Sequence, residues 1–343
     1  MGLALTFMLI TAPIAELYPP IAAYASEQID VGHGHRLYVE QCGNPQGVPM
    51  VFLHGGPGSG CSVRHRQFFD PALCRVVLFD QRGCGRSLPR DDLLHNHTDA
   101  LVQDLEALRH RLGITCWLVV GGSWGAGLAL AYAQSYPAAC LGLVLRGVFL
   151  GRSADVDWFF GAAAQLIPDA WQQLVNDAIG NSKQSVLLAL SAGLHGADPA
   201  RALVCALAWE AWEQSLSERR RTAPRALTLD DAETDMLLNK YRIQSHYLVH
   251  QCFREGSGFI PHATGTRNLP TALLHGRLDW ICRPQSAWDL HQVLPGSRLQ
   301  WIEGCGHNPF EPANAGALVT AIRYFAQYGN FSHWDAAVNE PSD

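Results

Sequence analysis

Gly121-Gly122-Ser123-Trp124-Gly125 is the stretch on which the fold turns. It follows an apolar, β-prone run, Cys116 to Val120, and precedes a helix-like run, Ala126 to Ser135. A serine set between glycines at a strand-to-helix junction implies a turn so tight that flanking side chains would collide. Such a turn is strained and lifts the hydroxyl above a sheet edge. The helix behind it also directs its first N–H groups toward developing negative charge.

Outward from this element, short β-branched runs alternate with glycine turns and amphipathic segments, the rhythm of a mostly parallel sheet covered by helices. Strands are expected at Arg36 to Gln41, Met50 to Leu53, Arg75 to Phe79, Cys116 to Val120 and Leu143 to Val148. Between the third and fourth, Thr98 is placed to cap a helix whose apolar positions Leu101, Leu105, Leu108 and Leu112 share one face. After Gly151 strand signals fade and helical patterns take over, as in Ala202 to Leu216. Strands return at Thr271 to His275 and Arg298 to Ile302, and Ala315 to Tyr328 reads as a closing helix. The expected fold class is therefore α/β, of the α/β-hydrolase type, with a helical cap inserted between strands. Residues 17–150 and 266–330 form the catalytic domain in this reading, and residues 151–265 form the cap. Residues 1–16 are an N-terminal extension and 331–343 a frayed tail.

Composition narrows the function. With 48% apolar and 16% charged residues the chain can bury a large core, and its net charge of −6 offers no basic surface for a nucleic acid backbone. The ten cysteines contain no C-x-x-C pair and read as free thiols of a reducing, cytoplasmic compartment. The fifteen histidines show no metal-site spacing, so neither metal nor cofactor is expected. Met1 to Ala15 is apolar but carries no Lys or Arg, and prolines interrupt it before a membrane span is reached. No membrane partner is expected, and a monomer and a small homo-oligomer are equally compatible with the chain.

A serine hydroxyl near neutral pH needs a base to take its proton, and that base needs a fixed tautomer. His307, in Gly304-Cys305-Gly306-His307-Asn308, follows one strand, and Asp279, in Gly276-Arg277-Leu278-Asp279, follows another. The chain order Ser, Asp, His is the one this fold uses. Asp80, after the strand Arg75 to Phe79, is a rival acid, but its place before the serine breaks that order. It is expected instead to brace the floor of the site through Arg82 or Arg86. His54-Gly55-Gly56-Pro57-Gly58 stands where the fold places its second oxyanion donor, so the donors expected are the N–H of Trp124 and that of Gly55 or Gly56.

With these motifs in view, the chain resembles the prolyl iminopeptidases, serine exopeptidases that release N-terminal proline. The likeness runs from about Leu17 to Tyr328. It rests on the elbow, on His54 to Gly58, on Asp80-Gln81-Arg82-Gly83-Cys84-Gly85-Arg86-Ser87, on Leu145-Arg146-Gly147-Val148-Phe149 and on Asp279-Trp280-Ile281-Cys282. It implies Ser123, Asp279 and His307 as a triad, with Phe149 and Cys282 lining a proline pocket and Arg146 among the substrate-binding positions. It also implies cap acids that hold the substrate's free amine. Glu213 matches the first, with Glu210 as a stand-in, while Gln244 occupies the second, where the family carries glutamate. Phe159 stands where the family can carry tyrosine, and Ala126-Gly127 replaces the usual Ser-Thr. The substrate expected is a small peptide or amide. An amidase or esterase with altered cap specificity is the alternative, and a binding module that merely keeps the fold is a third reading, disfavoured by the complete triad.

Overall fold

Eight strands form one sheet in the order β1-β2-β4-β3-β5-β6-β7-β8 in the computed structural model, which describes residues 16–178, 185–225, 229–260 and 264–334. The strands are β1 (Ala23–Asp30), β2 (Arg36–Gly43), β3 (Val48–Leu53), β4 (Cys74–Phe79), β5 (Trp117–Gly122), β6 (Cys140–Arg146), β7 (Thr271–Gly276) and β8 (Ser297–Ile302). β1 and β2 run antiparallel to their neighbours, and the six strands from β4 to β8 in the sheet are parallel. Parallel neighbours place their C-terminal ends on one rim, where open α/β sheets gather their sites.

Alternation along the strands divides the core. Val51, Leu53, Val77 and Val119 face helices α1 (Thr98–Arg111) and α2 (Trp124–Ser135), while Met50, Phe52, Val76, Leu118 and Val120 face α10 (Pro312–Tyr328). Between β6 and β7 the chain leaves the sheet for α3 (Ser153–Phe159), α4 (Pro168–Ala178), α5 (Val186–His195), α6 (Pro199–Glu218), α7 (Asp231–Val249) and the short α8 (Thr264–Arg267). These helices bury a cluster of their own around Phe159, Leu190, Trp209, Trp212 and Tyr241. Helix α9 (Pro284–Val293) then links β7 to β8.

Several expectations are corrected. β1 and α9 were not foreseen. Thr98 is the first helical residue, capped by His97, whose ring accepts the Ala100 N–H, while the Thr98 hydroxyl donates to the Cys252 carbonyl. The end of the insertion does not stay with the cap: Ile243, Tyr247, Cys252 and Phe259 are buried in the core beside α2, with Trp124 edge-on to both Tyr247 and Phe259. The chain after Asn330 is not frayed through Trp334, since Phe331 and Trp334 are buried against the α10 face. The N-terminal expectation falls on residues 1–15, outside the described residues, as do residues 335–343. Among the described residues no helix is long and apolar enough to cross a membrane.

Candidate active site

Ser123 sits at the sharp turn between β5 and α2 with φ +59° and ψ −125°, a conformation that L residues rarely adopt. Its neighbours leave no choice of residue. A Cβ on Gly121 would fall 2.2 Å from the Gly125 carbonyl oxygen, and one on Gly125 would fall 2.1 Å from that of Leu53. The turn is thus pressed against itself and against the end of β3, and the serine is held up into a cavity of about 230 Å³.

Asp279 follows β7 and is buried. Its Oδ2 accepts a 2.7 Å bond from His307 Nδ1, and its Oδ1 accepts the N–H groups of Ile281 and Cys282 at 3.0 and 2.8 Å. Burial alone would raise its carboxyl, but His307 and these donors outweigh that and hold it below the usual carboxylate range. The His307 loop is fastened from beneath. Arg146 Nη1 donates to the His307 carbonyl, Asn314 Nδ2 donates to the carbonyls of Gly306 and Asn308, and Glu311 accepts the Gly306 N–H. Ser123 and His307 face the same cavity. Among the described residues the serine hydroxyl's hydrogen-bond contact is with Cys282 Sγ at 3.9 Å rather than with the imidazole. Nucleophile and base commonly close to bonding distance only when substrate is bound.

A second network sets the other wall. The ring of His54 accepts the Gln81 N–H on Nε2 and donates from Nδ1 to the Gly55 carbonyl, so its tautomer is fixed and neutral. Burial also pushes its pKa down. Gln81 returns a bond to the His54 carbonyl and accepts the Trp124 indole N–H at 2.9 Å. The glycine loop is therefore tied to the first residue of α2, and Gly55 lies against the Ser123 side chain. Neither Gln81 nor His54 was assigned a role from sequence, because only the fold brings them together. Asp80 does brace this floor, through Arg86 at 2.7 and 3.1 Å and through the Cys61 N–H at 2.7 Å, while Arg82 pairs instead with Asp104.

The remaining expected residues divide. Phe149, Phe159, Glu213, Gln244, Cys282 and Arg146 all line the cavity with Gly55 and Gly56. Arg146 is buried, and its bond to the His307 carbonyl makes it a brace for that loop as well as part of the wall. Glu210 does not belong: it lines a separate hollow, and both its oxygens are taken by Arg225 at 2.7 and 3.1 Å. Burial raises the Cys282 thiol well above its ordinary range, which keeps it protonated and unfit to compete as nucleophile. The cap surface also holds a pair not read from sequence: Lys240 Nζ lies 3.3 and 3.2 Å from the oxygens of Glu213, and the Tyr241 hydroxyl donates to the same group at 3.0 Å.

Residues 48–313 match the family model for the alpha/beta hydrolase fold. The chain is 44% identical over 312 residues to a proline iminopeptidase of Xanthomonas citri, an alignment covering 90% of this chain and 99% of that one. It is 42% identical to a proline iminopeptidase of Arabidopsis thaliana, covering 89% and 80%. Among solved structures, the proline iminopeptidase of Mycobacterium smegmatis superposes with a TM-score of 0.59 at 17% identity, covering 89% and 99% of the two chains.

Proposed function

This chain belongs to the proline iminopeptidases of the α/β-hydrolase fold, and from that membership we propose that it releases N-terminal proline from small peptides through an acyl-enzyme formed on Ser123. The observation that carries the assignment of roles is the 2.7 Å bond between His307 and Asp279 at the rim of the cavity into which Ser123 projects.

Because Nδ1–H of His307 is committed to Asp279, Nε2 is the nitrogen left to act as base. Ser123 Oγ attacks the prolyl carbonyl carbon and its proton passes to Nε2. The new oxyanion is held by the N–H of Trp124 and of Gly55 or Gly56, fixed in relation to each other by the His54–Gln81–Trp124 chain; loss of one such donor typically slows turnover by about 100- to 1,000-fold. Collapse breaks the C–N bond, and His307 gives its proton to the departing amine. Water then repeats the sequence on the acyl ester and frees Ser123. Phe149, Phe159 and Cys282 supply the apolar walls for the proline ring, while Glu213 and Gln244 stand at the end that receives its nitrogen. In this reading the substrate is a small peptide or amide, nucleic acid and membrane take no part, and the ten free thiols support action in the cytoplasm.

A substrate panel tests the assignment. Purified protein is expected to cleave proline arylamides faster than alanine arylamides and N-blocked proline arylamides, with a fluorophosphonate probe labelling Ser123. Absence of cleavage of every proline arylamide, with turnover of short acyl esters retained, would replace the aminopeptidase with the amidase or esterase alternative, which the neutral Gln244 favours.

A further inference from the structure

Glu213 faces the cavity from α6, yet its charge is not free. Lys240 and the Tyr241 hydroxyl both hold it, each side chain of the ion pair being about a quarter exposed. Lys240 does not line the catalytic cavity. It lines the neighbouring hollow, with Ser59 shared between the two, and so reaches the carboxylate from behind. Its backbone position is tightly set, because α7 lies directly on the glycine loop: a Cβ on Gly58 would fall 2.5 Å from the Lys240 carbonyl oxygen. One helical turn on, Gln244 also lines the cavity, and its Oε1 is buried with no hydrogen-bond partner among the described residues. Glu213, Lys240 and Gln244 contribute one negative, one positive and one neutral group, so the ion pair and the amide together bring no net charge to the part of the wall that Glu213 and Gln244 form.

We propose that Lys240 is a specificity-determining residue that masks Glu213, so that the substrate's ring nitrogen is recognised chiefly by hydrogen bonds to Gln244 Oε1 and to the Glu213 lone pairs left open, rather than by neutralisation of its charge. The proposal rests on the aminopeptidase reading above. A carboxylate has about four lone-pair directions, and Lys240 and Tyr241 engage it without filling the cavity side. Lys240 therefore weakens attraction for a cationic N-terminus without occupying its place. Removing that positive charge leaves an uncompensated carboxylate facing the substrate, a change of about tenfold in affinity at this partial exposure.

Steady-state kinetics of the full chain on L-proline p-nitroanilide distinguish the outcomes. Lys240→Met is expected to lower KM about tenfold with kcat within about twofold, and Lys240→Arg to keep the wild-type KM. Calorimetric binding of L-prolinamide is expected to tighten in parallel in Lys240→Met, whether or not turnover is observed. An unchanged or raised KM and Kd in folded Lys240→Met, verified by near-UV circular dichroism, would overturn the proposal. Should that variant fail to fold, Lys240→Gln carries the same test. Failure of the wild type itself to cleave the anilide strikes at the aminopeptidase reading, whereas cleavage with an unmoved KM and Kd in the variant strikes only at the masking.

Discussion

At the residue scale the site depends on a single short bond. Asp279 is buried and accepts three donors, one of them His307 Nδ1–H, so in the proposed mechanism its carboxylate would both fix the tautomer and stabilise the imidazolium that forms during turnover. Asp279→Asn keeps the shape but can present an N–H to Nδ1, which favours the wrong tautomer. It is expected to lower kcat by about ten-thousandfold with little change in KM, measured on a proline arylamide. A loss of less than tenfold would mean that His307 is not held through this residue. The motifs that present Ser123, Asp279 and His307 were readable because each lies in a short run just after a strand. The Lys240–Glu213 pair was not, because its partners are 27 positions apart and meet only when α6 and α7 pack. Glu210 reads in sequence as a stand-in for Glu213, but three positions along the helix turn it toward Arg225 and out of the cavity.

At the scale of elements, the strand, turn and helix around Ser123 were legible because every requirement is local: an apolar strand, glycines at the crowded positions and a helix former behind. β1 was not. Its sequence AYASEQID has almost no apolar alternation and is mostly exposed, so pairing with β2, rather than burial, makes it a strand. Of the Ala126-Gly127 departure, the glycine finds its reason here as well, while nothing in the structure explains the alanine. Phe259, from the end of the insertion, presses on α2 at Gly127, where a Cβ would fall 2.6 Å from its ring. Gly127→Thr is therefore expected to destabilise by about 1–3 kcal/mol through overpacking, lowering the thermal midpoint by several degrees, and to cost less when introduced into a chain already carrying Phe259→Ala, whose own truncation costs about 3–5 kcal/mol. Equal midpoints for wild type and Gly127→Thr in a thermal melt would show that the helix and the insertion are not in close contact.

Across the whole molecule, a buried carboxylate joins the insertion to the sheet domain. Asp155, at the start of the insertion, bonds Arg152, Arg283 and Ser286, the last two at 2.9 Å, and so ties α3 to α9. Burial raises its carboxyl, but the two arginines prevail and hold it below the ordinary value, as the Arg86 partner does for Asp80 and His307 for Asp279. A carboxyl depressed in the folded state contributes stability that is full above its unfolded pKa of about 4 and is lost as pH falls through the folded value. The thermal midpoint is thus expected to decline gradually below about pH 6.5, where burial keeps His54, His65 and His275 neutral in the fold while the unfolded chain protonates them, and to fall further below about pH 4 as these carboxyls protonate. Asp155→Asn should lower the midpoint at pH 7 and make the acid-side decline shallower. A variant with the wild-type decline would remove Asp155 from the acid sensitivity.

Helix α7 is rooted in two cores at once, Leu237 and Tyr241 among the cap helices and Ile243 and Tyr247 beside α2. A roof nailed down at both ends does not swing open like a hinged hatch, since lifting it would pull an aromatic plug out of the floor. Substrate would then have to reach Ser123 past the side of this roof rather than by its lifting, a route better suited to a slender chain end than to a proline carried on the shoulder of a folded protein.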